Sequence, residues 1–232
     1  MSKAPLICGT AAGPLFVLSL LIQGATRDGY DPLRHPVSSL ALGHHGWVQT
    51  ATFLVAGVLT AVLAVGLRRT LPRGPGRLWG PLFVGVWALG LVGAGLFTTD
   101  PVSGYPPGSP DRLPAYSSTH AALHDGVSLL AFIAIMGACI VFTRRFVAGN
   151  QWRWAFYSAT TAAVVLVALG LSNAAFAQSQ NLVAFGGLFQ RIVIVAAWLW
   201  LTLLAWKTYR SDERSRPGAR VASTAPAVVD GL

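Results

Sequence analysis

Six long apolar stretches alternate with shorter polar ones along the chain, over residues 5–25, 47–67, 78–98, 121–142, 154–177 and 183–206. A helix needs about 20 mostly apolar residues to cross the hydrocarbon core of a bilayer, and inside lipid a backbone must satisfy its own polar groups. Each stretch meets that length. The pattern predicts an all-α polytopic membrane protein: residues 1–206 form one domain of six transmembrane helices, and residues 207–232 form a basic tail without periodicity, expected to be disordered. The first stretch follows Lys3 in the manner of a signal peptide. Its apolar core outruns the 7 to 15 residues usual for such a segment, so a retained span is expected.

Composition agrees with a membrane setting. Only 11% of residues are charged and 53% are apolar, whereas a soluble domain carries roughly a quarter charged residues. The net charge of +9 needs a topological explanation, and the loops supply one. Lys3, Arg68, Arg69, Arg73, Arg77, Arg144, Arg145, Arg153, Lys207, Arg210, Arg214, Arg216 and Arg220 fall on one side, against Arg27, Arg34 and Arg112 on the other. The positive-inside rule then places both termini in the cytoplasm of a multi-pass cell-membrane protein, with membrane lipids as partners and no nucleic acid. Trp47, Trp79, Trp152, Trp154 and Trp206 fall at span ends, where indole rings prefer the interface. Cys8 and Cys139 lie in apolar runs, which suits packing better than a disulfide or thiolate site. No repeat relates the two halves, which weakens an inverted-repeat transporter. The sequence leaves the oligomeric state open.

The polar residues are distributed unevenly. All five histidines (His35, His44, His45, His120, His124) and five of the eight acids (Asp28, Asp31, Asp100, Asp111, Asp125) lie in the extracytoplasmic loops or the outer ends of spans. Two of those loops, residues 26–46 and 99–119, are long enough to suggest ordered, functional segments. They are expected to cap a cavity in the outer leaflet.

At about 100° per residue, His120, His124, Ser128 and Asp125 share one face of the fourth helix. Two histidines four apart are the spacing by which a helix offers two imidazoles to one metal. Asp100 precedes Pro101, which disfavours helix at the residue before it, so its carboxylate should sit near the cavity mouth. His120, His124 and Asp100, with His35 or Asp125 as substitutes, would leave a fourth position open for water, as in a catalytic zinc site. Two histidines four apart cannot bind opposite faces of one haem, and no haem is expected.

Arg191 lies about eight residues, or roughly 12 Å, into the sixth span. A guanidinium at that depth needs a partner; Asp100 or Asp125 would serve as an ion pair, and the same group could instead anchor a ligand's anionic head. Ser172 and Asn173 could join this network or pack between helices.

The strings RHPVSSLALG (residues 34–43), GWVQT (46–50), AVGLR (64–68), FTTDPVSGYPPG (97–108), HAALHD (120–125) and FQR (189–191) resemble the bacterial six-span membrane family known as domain of unknown function 998. The resemblance covers residues 5–206 and implies a fold and topology but no activity; His35, Ser38, Ser39, Asp100, His120, His124, Asp125 and Arg191 match its motifs. A distant analogy exists to the intramembrane zinc hydrolases of the alkaline ceramidase and adiponectin receptor type, which have seven spans.

The expected function is an intramembrane enzyme acting on a lipid-like or hydrophobic small molecule. In a metal-dependent hydrolase, His120, His124 and Asp100 or His35 would hold zinc, Asp125 would act as base or orienter, and Arg191 would stabilise negative charge. His35, Ser38, Ser39, Ser128, Asn173 and Arg191 would contact substrate. In a metal-free cyclase or isomerase, Asp100 would donate a proton. The non-enzymatic alternative is a binding, transport or scaffolding protein. His120→Ala and His124→Ala are expected to behave alike.

Overall fold

The computed structural model describes residues 3–111 and 118–214. Arg112, Arg216, Arg220 and the tail beyond residue 214 lie outside the described residues. Six helices are long and apolar enough to cross a membrane: α1 (Ala4–Thr26), α2 (Gly46–Thr70), α3 (Trp79–Leu96), α4 (Thr119–Ala148), α5 (Trp152–Phe176) and α6 (Gly186–Arg214). Among the described residues there is no strand beyond one isolated bridge between Val102 and Tyr105.

The helix ends depart from the apolar stretches for electrostatic and hydrogen-bonding reasons. α2, α4 and α6 continue past their apolar runs into segments carrying Arg68 and Arg69, Arg145, and Lys207 and Arg210. Cations near a helix C-terminus complement its dipole, and helical bonding does not stop where hydropathy does. The first eight residues of the expected tail, Lys207 to Arg214, are therefore helical. α3 stops earlier than its stretch, because Phe97 is extended and its carbonyl is turned to accept a hydrogen bond from the His124 ring at 2.8 Å.

Each helix packs on the next, and α6 returns to α1, closing a ring. Its interior is aromatic: Phe16 meets Phe53 and Trp198, and Trp87 bridges Trp198 and Phe132. The outer surface is apolar as well, with Leu18, Ile22, Leu89, Phe156 and Val167 exposed. Lipid is as apolar as a leucine side chain, so the ring is held by close packing and interhelical hydrogen bonds. Gly90 shows the packing: a Cβ there would stand 3.0 Å from the Val127 carbonyl of α4. A polar ladder supplies hydrogen bonds between α1 and α2. Gln23 donates to Gln49 at 2.7 Å and to Ser19 at 3.0 Å, and Ser19 shares a 2.7 Å bond with Thr52.

Candidate functional site

Residues 27–45 fold onto the N-terminus of α6. A helix start leaves four N–H groups without intrahelical partners, and here two find carbonyls of this loop: Gly187 donates to Arg34 at 3.1 Å and Leu188 to Leu33 at 2.9 Å. Arg191 reaches back from the next turn. Its guanidinium donates to the carbonyls of Pro32, His35 (3.2 Å) and Gly187 (3.0 Å) and to the Tyr30 hydroxyl at 2.6 Å. The Tyr30 hydroxyl in turn donates to the Pro36 carbonyl at 3.0 Å. Burial pushes the Tyr30 phenol up to about 12, although the nearby Arg191 cation opposes the shift. Gly187 is required at this crossing: a Cβ would stand 2.6 Å from the Pro32 carbonyl and 2.5 Å from that of His35.

His35 locks the two long loops together. The Asp31 N–H donates to Nδ1 at 2.9 Å, so Nε2 carries the proton and donates to the Ser103 carbonyl at 3.0 Å. Ser103 has a φ of 58°, a left-handed conformation rare for a residue with a side chain. Its carbonyl also accepts from Arg34 Nε at 3.1 Å. The His35 ring is buried between Tyr30 and Tyr105, and burial holds its pKa below 6.5 against the pull of Ser103 and Asp31.

Below this clamp lies a cavity of about 410 Å³. Its polar lining comes from Ser38, Thr99 and Asp100 of the loops, His124, Asp125 and Ser128 of α4, Ser172 and Asn173 of α5, and Gln190 of α6. Phe53, Leu129, Phe132, Leu169, Phe176 and Ile194 supply the apolar wall. Two arrangements fix the polar groups. Ser118 caps α4, accepting from the Ala121 N–H at 3.0 Å while donating to Asp100 Oδ1 at 2.8 Å. Gln190 Oε1 accepts the Val37 N–H at 2.7 Å and ties the loop to α6 beside the cavity. His124 is buried, with Nδ1 satisfied by the Phe97 carbonyl. That bond puts the proton on Nδ1 and leaves the lone pair on Nε2.

The structure thus gathers Ser38, Asp100, His124, Asp125, Ser128 and Asn173 at one cavity. It places the other expected residues elsewhere. His35, Ser39 and Arg191 are not in the lining; His35 and Arg191 are spent on the loop clamp, and Ser39 is buried under it with no hydrogen-bond partner for its hydroxyl. His120 is exposed at the start of α4, edge-on to Phe97. Arg191 is not ion-paired with Asp100 or Asp125: the ion pairs among the described residues are Lys3–Glu213 and Arg34–Asp111. Its charge is instead met by carbonyl dipoles that the folded loop directs at it.

The expected metal set of His120, His124, Asp100 and His35 does not assemble. Both ring nitrogens of His35 are engaged, and no group of three His, Cys, Asp or Glu among the described residues is placed to hold an ion. Sequence reasoning missed Gln190, Gln23 and Gln49. Their signal was available: each is an amide inside an apolar span, where an unpaired polar group is costly.

A closed ring of six membrane-length helices, with a polar-lined cavity at one end, defines a polytopic helical membrane protein with a small-molecule-sized cavity. The chain belongs to the family described as Protein of unknown function (DUF998), which matches over residues 10–207. No curated protein and no solved structure matches it.

Proposed function

We propose that the cavity binds a lipid-like or other hydrophobic small molecule carrying a polar head, and that it opens on the extracytoplasmic side of the cell membrane. The observation that carries this is the joining of Asp100, His124, Asp125 and Asn173 to a wall of Phe53, Phe132, Leu169 and Phe176 in one space of about 410 Å³. Small-molecule sites are mostly apolar with a few convergent polar groups, and fall in this size range. Ionisable groups within the ends of apolar spans are costly and are by default functional. The extracytoplasmic placement follows from the positive-inside rule, since the cavity is at the end away from the arginine-rich loops.

A second reading, acid–base chemistry on that molecule, is favoured by the bond from His124 to the Phe97 carbonyl. A neutral imidazole whose tautomer is fixed by a backbone carbonyl can take a proton at Nε2, with Asp125 and Asp100 lining the same space. Among the described residues no three His, Cys, Asp or Glu side chains are grouped to hold a metal ion, and this scheme is written without one.

Mass spectrometry of molecules carried through purification tests the binding. An amphiphile should accompany the parent and be absent from Ser128→Trp, whose indole fills the cavity, when both unfold at the same temperature. Equal recovery from both proteins would overturn the proposal. Conversion of that molecule by the parent, lost in His124→Ala with binding retained, would support the chemical step; no conversion would leave the protein a binder.

A further inference from the structure

The end of the bundle opposite the candidate site carries a second cavity, of about 510 Å³. It is built from the loop joining α2 to α3, the C-terminal turns of α4 and α6, and the short link between α4 and α5. Three cations line it, Arg73, Arg145 and Lys207, against one acid, Asp212. Arg145 shapes one wall, donating to the carbonyls of Pro75 at 2.8 Å and Pro72 at 3.3 Å. Lys207 is half-buried, with its ammonium 4.9 Å from the centroid of the Trp154 ring and 5.5 Å from that of Phe146. Among the described residues, no carboxylate lies within ion-pair distance of Arg73, Arg145 or Lys207. A positive cavity with this charge excess asks for an anion.

Its floor says which kind. Phe142, Phe146 and Leu204 line the cavity beneath the cations, and Trp152 and Trp206 at the same end of the helices are exposed. Indoles at span ends mark the headgroup level of a bilayer. A free phosphate or nucleotide gains little from an aliphatic and aromatic floor, whereas the glycerol and first methylenes of a lipid do. A zwitterionic head would bring its own cation into an already positive space.

We propose that this cavity seats the phosphate of an anionic phospholipid from the leaflet on the arginine-rich side, with Lys207 and Arg73 contacting the phosphate and Arg145 holding the loop that encloses it. Basic pockets between helices at this level are suited to such heads. The site is independent of the cavity at the other end, and its occupant is structural or regulatory lipid.

Native mass spectrometry of the detergent-solubilised full chain, given equal amounts of phosphatidylglycerol and phosphatidylcholine, tests it. Bound phosphatidylglycerol should dominate. Each cation removed should weaken its binding roughly fivefold, from the energy of a basic residue at an anionic surface, so the Lys207→Gln, Arg73→Gln double variant should lose about 25-fold. Arg144→Gln, Arg153→Gln serves as control, because both residues are exposed at the same end and absent from the lining. Equal binding of the two lipids, or equal losses in the test and control variants, would overturn the proposal. Full competition by millimolar inorganic phosphate would also overturn it, in favour of a soluble phosphate ligand.

Discussion

Replacing Arg191 by Met keeps the length and apolar body of the side chain and removes the guanidinium. Four hydrogen bonds are lost, to Tyr30 and to the carbonyls of Pro32, His35 and Gly187. They are not equal. Pro32 is exposed, so water replaces its donor, and the His35 carbonyl keeps only the weaker, 3.3 Å arm of the Tyr30 O–H that it shares with the Pro36 carbonyl. The bond to the Tyr30 hydroxyl is charge-assisted and has no replacement, because Tyr30 is buried. At about 1.5 kcal/mol for each such bond, and counting the others together as one more, the loss is roughly 3 kcal/mol. A domain of this length loses about 2–4 °C per kcal/mol, so Tm should fall by roughly 6–12 °C. Unfolding in detergent, followed by tryptophan fluorescence, measures it. Arg191→Lys should recover only part of the loss, since an ammonium cannot reproduce the planar fork. Double-mutant cycles with Asp100→Asn and Asp125→Asn should be additive within about 0.5 kcal/mol. An unchanged Tm in Arg191→Met, or coupling above 1 kcal/mol to either aspartate, would refute the carbonyl clamp.

Three further outcomes follow from the same geometry. The two histidines of α4 should behave differently: His120→Ala should leave ligand binding and Tm unchanged, and His124→Ala should cost about 1–3 kcal/mol of stability through the unpaired Phe97 carbonyl, so matching melting curves would be contrary. Gly187→Ala should cost about 1–3 kcal/mol by overpacking against the Pro32 and His35 carbonyls; a melting temperature within 1 °C of the parent, on the scale of roughly 2–4 °C per kcal/mol, would contradict it. The last concerns pH. Burial depresses the His35 pKa below 6.5, so above that pH both folded and unfolded chains hold it neutral and stability is full; below it the unfolded chain takes up a proton first, and stability falls as pH drops toward the folded value. Asp31, Arg34, Arg191, Tyr30 and Tyr105 surround the ring. Melting temperatures from pH 8 to pH 5 should decline more steeply in the parent than in His35→Gln, and parallel slopes would count against the lock.

The six spans were legible because hydropathy over twenty residues is a property of the sequence alone. Asp100, His124, Asp125, Ser128 and Asn173 were legible for a related reason: polar groups at the ends of apolar spans are costly, and such positions tend to converge. Arg191 shows where this stops. Its depth announces a need for a partner, and the eye goes to aspartates, yet the partners are the carbonyls of Pro32, His35 and Gly187, which every residue possesses and no sequence distinguishes. The same holds for His35, whose ring is satisfied by a backbone N–H and a backbone carbonyl. His120 and His124 share a helical face within about 40°, but only the position of Phe97 decides which imidazole is buried.

The candidate site lies at the end of the ring where the longer connections fall. α4 and α5 are joined by residues 149–151 alone, which holds their ends together on the arginine-rich side. At the other end, Thr99, Asp100 and Val102 of the segment after α3 and Ala177 of the segment after α5 line the candidate site. The clamp and the cavity are consequently one construction. Gln190 belongs to both, lining the cavity while its Oε1 accepts the Val37 N–H, and one helical position further on Arg191 grips the carbonyls of the same loop. A polar head bound among Asp100, His124 and Asn173 as proposed would meet a roof whose position is set by Gln190 and Arg191, so these two residues would act on such a ligand by positioning the roof, and Arg191 would do so from outside the cavity lining.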